Sequence, residues 1–567
     1  MTEQASVRLA DPTRQLVVFC DGTNNNLTGG SRDTNVVKLC ELLAAAQDGS
    51  QQVFYDPGVG NPGELPGATL VDAWNRFSER LAGLAFGRGV YENIAQTYLF
   101  LMRHYRSGDE LFIFGFSRGA FTARSVAGLV NQFGILPAHL ESMVPTLIHV
   151  YFSDRRLAPQ ASRAITDQTT RLFMPPGSRN VEIQFVGVWD TVASVGMWPF
   201  SAQFTALPTV DGKRFRNVRQ ALALDEHRAQ FRPRPYANAN GHYTTINGHP
   251  ATLEQRWFSG AHGDIGGGYA PDQCGIANRT FAWLVSEAVG CGMRLVRDGA
   301  PLAAEDAVLA ALAHTGPQPR PVVHSELQST CLWALTGMAV RDTTLARMDG
   351  GPPVALPPVE HASVAGNGLQ FPQDTVWTRR RSSHWFWASL CLAVFVSFAL
   401  GQTLSPSSGS TGLWQEVLDW PGKAWGWQLQ NLRFAHWQLL WWRDTDVAAG
   451  LARFGAPRWA VVWDLLLIAA YAYLLAWLAV AGFARRAGLR RAGQPVSAWL
   501  NRLGWALPVA VFSDIAENIA TWSVVTLVDN HLHLLAVLAA VLMSAAALLK
   551  FLGLAGTLVV CCLPARR

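Results

Sequence analysis

The sequence predicts an α/β domain with a mostly parallel sheet, followed by an α-helical transmembrane domain. Short apolar runs typical of buried strands alternate with helical segments through the first half of the 567-residue chain. Long uncharged apolar runs begin near Trp377, and 16 of the 22 tryptophans lie at or beyond that residue. We therefore expect an α/β domain at residues 1–296, a peripheral subdomain and linker at 297–378, and a membrane domain at 379–567.

The predicted strands are continuous apolar runs, a pattern typical of strands that are covered on both faces. Helices predicted at about 34–46 and 90–105, and from Phe121 onward, separate the first strands. Ligands of open parallel sheets bind beyond the carboxyl ends of the strands, so functional residues are expected directly after them. The predicted strands are 16–20, 52–55, 110–114, 181–188 and 256–259.

Composition and charge exclude several classes of protein. The net charge of +5, from 46 basic and 41 acidic residues, is too small and too dispersed for a nucleic-acid groove. The eight cysteines have no zinc-site spacing and are expected to be reduced, mostly buried thiols. Neither a metal nor a cofactor is expected. The first fifteen residues have no apolar core of a signal peptide, so we expect the α/β domain to begin in the cytoplasm.

The pattern Gly-x-Ser-x-Gly at Gly115, Ser117 and Gly119 predicts a nucleophile. A serine on a strained strand-to-helix turn needs small neighbours, so that its Oγ stands clear of the backbone. The bare pattern is expected by chance about 0.3 times in a chain of this composition, so its context decides. Here the serine follows an apolar strand and precedes a helical run. Ser117 is therefore the candidate nucleophile.

A serine hydroxyl needs a histidine to take its proton and a carboxylate to orient that histidine. Ser117, Asp190 and His262 follow three successive strands, in the chain order that α/β-hydrolases use. His242 and His249 remain open as alternative bases, and Asp190 as an ordinary turn or cap residue. The sequence favours the triad of Ser117, Asp190 and His262.

An oxyanion hole needs two N–H donors aimed at the acyl carbonyl oxygen. The backbone of Arg118 is expected to provide one, and that of Gly22 or Thr23, after the first strand, the second. Asp21 and Asp264 are expected to support the site by organising its turns. The Asp21-Gly22-Thr23 turn is alternatively an ordinary capped turn, and the Arg118 side chain a solvated charge or a head-group contact.

Two phosphate chemistries are disfavoured. A strand that ends in Asp-Gly-Thr is also found in haloacid dehalogenase-type phosphatases, but Phe19 occupies the position of their nucleophilic aspartate. The run from Gly263 to Gly268 lacks the lysine of a phosphate-binding loop.

Five motifs in order resemble a bacterial α/β-hydrolase family that includes type VI secretion phospholipase effectors. The resemblance covers roughly residues 15–290. Its motifs are FCDGTNN at 19–25, GVG at 58–60, GFSRGA at 115–120, GVWDTVASVG at 187–196 and GAHGDIGGGY at 260–269.

The resemblance implies a lipase or phospholipase with an α/β-hydrolase fold, whose triad maps onto Ser117, Asp190 and His262. It implies a lipid or other ester as substrate and, for an effector, a secretion apparatus and an immunity protein as partners. His227 departs from the expected pattern of the Asp-Glu-x-Arg stretch. The alternative function is a non-catalytic membrane scaffold or signalling protein that retains the hydrolase fold. Residues 61–68 and 201–249 are candidates for a lid by position only.

The last third of the chain predicts about four membrane spans, at 385–404, 459–483, 503–528 and 532–563. Arginine-rich flanks place both termini and the hydrolase on the cytoplasmic side of the bacterial inner membrane, and delivery into target cells is the alternative location. The Trp-rich loop at 404–458 is expected to form interfacial helices or plain protein core. Asp514 and Glu517 suggest a proton relay, or alternatively hydrogen bonds between helices.

Overall fold

The computed structural model describes two compact units of the chain. One unit lies within residues 1–226, 231–324 and 341–372, and the other within 227–230, 325–340 and 373–567. The predicted linker at 297–378 is therefore shared between the two units. The described residues are 13–22, 33–44, 50–58, 88–152, 159–173, 180–192, 194–195, 202–203, 209–238, 240–297, 300–306, 308, 321–341, 344–345, 354–355, 384, 386–396, 457–487, 498–530 and 532–562.

A seven-stranded sheet forms the centre of the first unit, in the order β2-β1-β3-β4-β7-β9-β8. Every pair in it is parallel except β8 with β9. The predicted mostly parallel sheet is confirmed. Its strands are β1 (Gln15–Cys20), β2 (Gln51–Asp56), β3 (Glu110–Phe116), β4 (Ile183–Trp189), β7 (Asn217–Ala223), β8 (Gly241–Thr244) and β9 (Pro250–Phe258). Short two-stranded pairs are β5 (Ser194–Val195) with β6 (Ala202–Gln203), β10 (Val296–Arg297) with β11 (Ala300–Pro301), and β12 (Thr344–Leu345) with β13 (Val354–Ala355).

Helices cover both faces of the sheet, because successive side chains of each strand point to opposite sides. Alternate residues such as Val18 and Ile113 pack against α2, α3 and α4, whereas Val17 and Phe112 pack against α1 and α7. The helices are α1 (Asn35–Ala44), α2 (Arg88–His104), α3 (Ser117–Phe133), α4 (Val144–Phe152), α5 (Pro159–Phe173), α6 (His262–Gly266) and α7 (Gly275–Gly290), with 3-10 turns at Ala138–Met143 and Pro271–Gln273.

The strand order reverses between β1 and β3, since the chain adds β2 on one side of β1 and then returns to add β3 on the other. Such a reversal leaves a crevice at the carboxyl ends of the two strands. The helices that follow them, α1 and α3, lie on opposite faces of the sheet. The ends of β1 and β3 are therefore where the fold positions a site.

The segment at 201–249, a lid candidate by position, contains a strand of the central sheet, so residues 217–223 are not part of a lid. Its β7 is an inner strand, paired in parallel with both β4 and β9. The sequence hides this strand because Arg219 and Gln220 interrupt its apolar pattern, and both are buried with polar partners. The other lid candidate, 61–68, lies outside the described residues.

The second unit is helical. Its buried core joins three long helices to the segment at 325–340, through residues that include Met338, Phe483 and Leu507. Its helices are α8 (Glu326–Ser329), α9 (Phe386–Val396), α10 (Pro457–Ala487), α11 (Ala498–Leu503), α12 (Ala506–Asp529) and α13 (His533–Cys562), with a 3-10 turn at Cys331–Thr336.

Within the described residues, two segments are long and apolar enough to cross a membrane, Val461–Phe483 and Val541–Cys561. They lie in the predicted spans 459–483 and 532–563. The described helix in the predicted span 385–404 is shorter, at Phe386–Val396. Helix α12 overlaps the predicted span 503–528 and has 24 residues, but it is not one of these two segments. The count of four spans stays a prediction, and the loop at 404–458 lies outside the described residues.

A buried ion network joins α12 to α13 inside this unit. The Lys550 ammonium lies 3.0 Å from Asp514 Oδ1 and 2.5 Å from Glu517 Oε2. Tyr471 donates its hydroxyl to Asp514, and Asn518 donates to Asp464 at 2.8 Å. These contacts give the charged residues of the apolar helices a structural role, which favours the interhelical alternative over a proton relay.

Candidate active site

The predicted nucleophile lies on a sharp turn between β3 and α3. Ser117 is the first residue of α3, and its φ of 59° is in the left-handed region that side chains other than glycine rarely adopt. Gly115 and Gly119 allow this turn. A Cβ at Gly115 would lie 2.6 Å from the Gly119 carbonyl oxygen, and one at Gly119 would lie 2.2 Å from the carbonyl oxygen of Cys20. A side chain at either glycine would therefore clash with the backbone of this turn.

The three residues of the predicted triad form one continuous chain of hydrogen bonds. The Nε2 of His262 lies 2.7 Å from the Ser117 Oγ, and its Nδ1 lies 2.6 Å from Asp190 Oδ2. A carboxylate only accepts hydrogen bonds, so the ring proton is assigned to Nδ1 and Nε2 is left to accept the serine proton. The side chains are buried, with exposed fractions of 8% for Ser117, 6% for His262 and 0% for Asp190.

Asp190 is held in its charged form. Burial by itself favours the protonated carboxyl, but the charge of Arg341 and the hydrogen bonds from His262 and Arg341 outweigh it and hold the pKa of Asp190 well below its usual range. The backbone N–H of Ala223, at the end of β7, adds a further donor at 3.0 Å. Asp190 also has a positive φ of 38°, which makes it a second strained position in the candidate site.

Apolar rings enclose the His262 imidazole. Phe116 stacks on it, with ring centroids 4.7 Å apart, and Phe231 meets it edge-on at 5.0 Å. The His262 backbone N–H donates to the Glu226 carboxylate at 3.2 Å. These contacts fix the ring plane and keep bulk water away from one side of it.

Asp264 supports the short helix α6 on which His262 lies. Its Oδ2 accepts the N–H of Ala261 at 2.8 Å, which caps that helix. His324 binds the same carboxylate through its backbone N–H, at 2.8 Å, and through Nδ1, at 2.6 Å, while its ring stacks on Tyr269. Burial raises the pKa of Asp264, although the hydrogen bonds and charge of His324 act in the opposite direction.

The predicted oxyanion donors have different environments. Arg118 is the second residue of α3, where backbone N–H groups have no acceptor within the helix. The Gly22 N–H instead donates to the carboxylate of Asp21 at 2.6 Å. Thr23 lies outside the described residues. The backbone of Arg118 is therefore the donor that the described geometry leaves available.

Asp21 organises the turn after β1. Its carboxylate accepts hydrogen bonds from the hydroxyls of Thr34, at 3.0 Å, and Tyr55, at 2.8 Å, as well as from Gly22.

The Arg118 side chain is largely surrounded by protein, and burial lowers its pKa to about 10. Its burial next to Ser117 disfavours the alternative of a freely solvated charge.

The other histidines considered from sequence have different surroundings. His249 pairs with Glu182 at 2.8 Å, and His242 is exposed on the edge strand β8. His227 belongs to the helical unit and packs edge-on against Phe483.

Sequence reasoning missed three residues that hold the triad or its helix: Glu226, His324 and Arg341. Glu226 belongs to the Asp-Glu-x-Arg stretch around His227 but was given no role there, and His324 and Arg341 come from a segment that carries no strand-end pattern. Only the folded chain brings them to the site.

A family model matches the first part of the chain. Residues 14–287 match the model of the family described as the type VI secretion system phospholipase effector Tle1-like catalytic domain. Uncharacterized protein YEL023C of Saccharomyces cerevisiae is 31% identical over 235 residues, which are 39% of this chain and 33% of that protein. The match thus spans about a third of the length of this relative.

A crystal structure of an uncharacterized protein from Pseudomonas aeruginosa aligns with 75% of this chain and 58% of its own, at 16% identity and a TM-score of 0.30. A score this low supports no conclusion about a shared fold. The family match covers all five motifs and all three triad positions. Residues 14–287 belong to the Tle1-like family of type VI secretion phospholipase effector catalytic domains.

Proposed function

We propose that the protein is a serine ester hydrolase of the α/β-hydrolase type that cleaves lipid esters, with phospholipids as the first candidates. The observation that carries this proposal is the hydrogen-bonded series of Ser117, His262 and Asp190 at the carboxyl ends of parallel strands. The family match over residues 14–287 supports the same chemistry.

In the first half of the reaction, Ser117 Oγ attacks the acyl carbonyl carbon while His262 Nε2 takes the hydroxyl proton. Asp190 stabilises the imidazolium that forms, because it stays ionised next to Nδ1–H. The negative charge on the carbonyl oxygen meets the backbone N–H of Arg118 and the positive end of the α3 dipole. Collapse of this intermediate breaks the ester C–O bond, and His262 returns its proton to the departing alcohol.

In the second half, water attacks the acyl-enzyme and His262 takes one of its protons. The tetrahedral intermediate then releases the fatty acid, and the proton on His262 returns to Ser117 Oγ. No residue changes its oxidation state, and neither half requires a metal or a cofactor.

The C-terminal unit supports a lipid substrate through membrane association. Two of its helices have the length and composition of membrane spans, and both present exposed leucines along their length, such as Leu466 and Leu542. The arginine-rich flanks of the predicted spans support a location of the hydrolase on the cytoplasmic side of the inner membrane. Tethering would bring Ser117 to the lipid surface and raise the local concentration of ester.

The test is hydrolysis by the full-length protein in detergent, on a panel of phospholipids that differ in head group and on short-chain acyl esters. Ser117→Ala is measured beside the wild type. We expect the wild type to release fatty acid and the variant to lose at least 10³-fold in rate. Absence of turnover by the wild type on every ester would favour the scaffold alternative.

A role as an antibacterial effector requires a further test. We expect expression of the wild type in a bacterial cell to stop growth with loss of membrane phospholipid, and Ser117→Ala to be harmless. Co-expression of a specific immunity protein would restore growth if the enzyme is a delivered effector. Harmless expression of an active enzyme would indicate a housekeeping lipase instead.

A further inference from the structure

A buried arginine from outside the family-matched region holds the triad aspartate. The match ends at residue 287, whereas Arg341 follows a long intervening segment. Its side chain is 3% exposed and forms an ion pair with Asp190, which is fully buried. The contact involves both carboxylate oxygens, since Nη1 lies 2.5 Å from Oδ1 and Nη2 lies 2.8 Å from Oδ2.

The remaining hydrogens of the two terminal nitrogens are also used. Nη1 donates to the carbonyl oxygen of Ala223 at 2.8 Å, and Nη2 donates to that of Phe231 at 2.6 Å. Ala223 in turn donates its N–H to Asp190, and the Phe231 ring packs against His262. The guanidinium therefore joins the carboxylate, the end of β7 and one wall of the imidazole pocket.

This geometry suits arginine and no other side chain. A planar guanidinium presents two parallel N–H groups to a carboxylate and keeps two more for other acceptors, whereas a lysine ammonium has only three hydrogens, and they point in other directions. A carboxylate that is free to rotate would not keep His262 Nδ1–H in line. The orientation of Asp190 is thus fixed by Arg341, which bonds both carboxylate oxygens, in addition to the bond with the histidine.

We propose that Arg341 is a positioning residue for the triad: it locks the orientation and ionised state of Asp190, so that the active site requires a segment beyond the family-matched domain. This rests on the proposed function, because the residue acts through Asp190 on His262 and does not touch the substrate. A change at Arg341 should alter how activity depends on pH.

The test compares Arg341→Met and Arg341→Lys in the full-length protein in detergent. kcat/KM for a soluble aryl ester is measured from pH 5 to 9. Arg219→Met is the matched control, since Arg219 is also buried and pairs with Glu287 at 2.6 Å, but on a different part of the sheet. Melting temperature and circular dichroism report whether each variant is folded.

We expect Arg341→Met to lower kcat/KM on the order of 10²-fold, because small displacements of a catalytic group are that costly. The acid limb of its pH profile should move upward by about one pH unit, since a buried carboxyl without its cation is protonated more easily. Arg341→Lys should recover part of both losses. Arg219→Met should lower the melting temperature and leave the pH profile in place.

A folded Arg341→Met with the wild-type pH profile would overturn the proposal, as would an equal shift in Arg219→Met. Should Arg341→Met fail to fold, a wild-type profile for Arg341→Lys has the same consequence. If the wild type hydrolyses no ester, the proposed function fails separately. The low-field proton resonance of His262 Nδ1–H then tests the positioning role of Arg341 without any substrate. This resonance should be present in the wild type and lost or shifted in the Arg341 variants. An unchanged resonance would contradict the positioning role.

Discussion

Replacing Asp190 by asparagine tests how the triad works, because the two side chains have the same shape and differ in charge and hydrogen bonding. In the wild type each carboxylate oxygen accepts two hydrogen bonds: Oδ1 from Arg341 and the Ala223 N–H, and Oδ2 from Arg341 and His262. An asparagine has one accepting oxygen and one NH2 group. The NH2 must therefore take either the place of Oδ1, next to the Ala223 N–H, or the place of Oδ2, next to the His262 ring.

The place of Oδ1 is the more costly one for an NH2 group, because the Ala223 N–H can only donate, whereas an imidazole nitrogen can accept once its proton moves to the other nitrogen. We expect the amide NH2 to face His262 Nδ1, which moves the ring proton to Nε2, the atom 2.7 Å from Ser117 Oγ. The serine then has no base. The rate loss from such a tautomer change is on the order of 10⁴ in kcat, or about 5.4 kcal/mol of barrier at 1.36 kcal/mol per decade.

The assay is kcat on a soluble ester across pH 5 to 9, with melting temperatures for both proteins. Asp109→Asn is the matched control, because Asp109 also pairs through both oxygens with an arginine, Arg14, but lies away from the triad. The pKa of Asp190 is held low, so its charge is present above the unfolded value of about 3.9 and is lost only at lower pH. The loss should therefore persist over the whole range. A folded Asp190→Asn that keeps more than about a tenth of wild-type kcat would refute the reasoning.

Three further outcomes follow from the structure. Gly119→Ala should lower stability by about 1–3 kcal/mol and reduce kcat, because its methyl would lie 2.2 and 2.3 Å from carbonyl oxygens at the end of β1; unchanged kcat and melting temperature would contradict the described turn. Burial raises the pKa of Asp56 to about 7, so the wild type should lose stability as pH rises from about 4 through 7; Asp56→Asn should lose this dependence, which melting curves at pH 5 and 8 check. Lys550→Met should cost about 3–5 kcal/mol, because it removes the cation that pairs with the buried carboxylates of Asp514 and Glu517; an unchanged melting temperature in detergent would indicate that the pairs contribute little.

The sequence predicted the parts of the molecule that local patterns determine. Continuous apolar runs identified five of the sheet strands. The candidate residues Ser117, Asp190 and His262 were identified because they follow three of these runs. The reason is physical: parallel strands bring their carboxyl ends to one edge, so residues that are far apart in the chain meet there. Gly115 and Gly119 could also be identified from the sequence, because the sharp turn at Ser117 leaves no room for a side chain at either position.

Residues that act through tertiary contacts could not be predicted from the sequence. The inner strand β7 lacks an apolar pattern because buried Arg219 and Gln220 find partners that the sequence does not reveal. Arg341 and His324 reach the site from a segment without any motif. The Gly22 N–H was expected to bind the oxyanion, but it donates to Asp21, a competition that only the geometry of the turn makes visible.

The central claim is that Ser117 is the nucleophile, and covalent trapping tests it most directly. The full-length protein is treated with a fluorophosphonate, digested, and mapped by mass spectrometry, with Ser117→Ala treated in parallel. We expect one adduct on the peptide that contains Ser117, formed in step with loss of ester hydrolysis, and none in the variant. Ester hydrolysis that continues without an adduct on Ser117, or an adduct on another residue that abolishes it, would contradict the proposed mechanism.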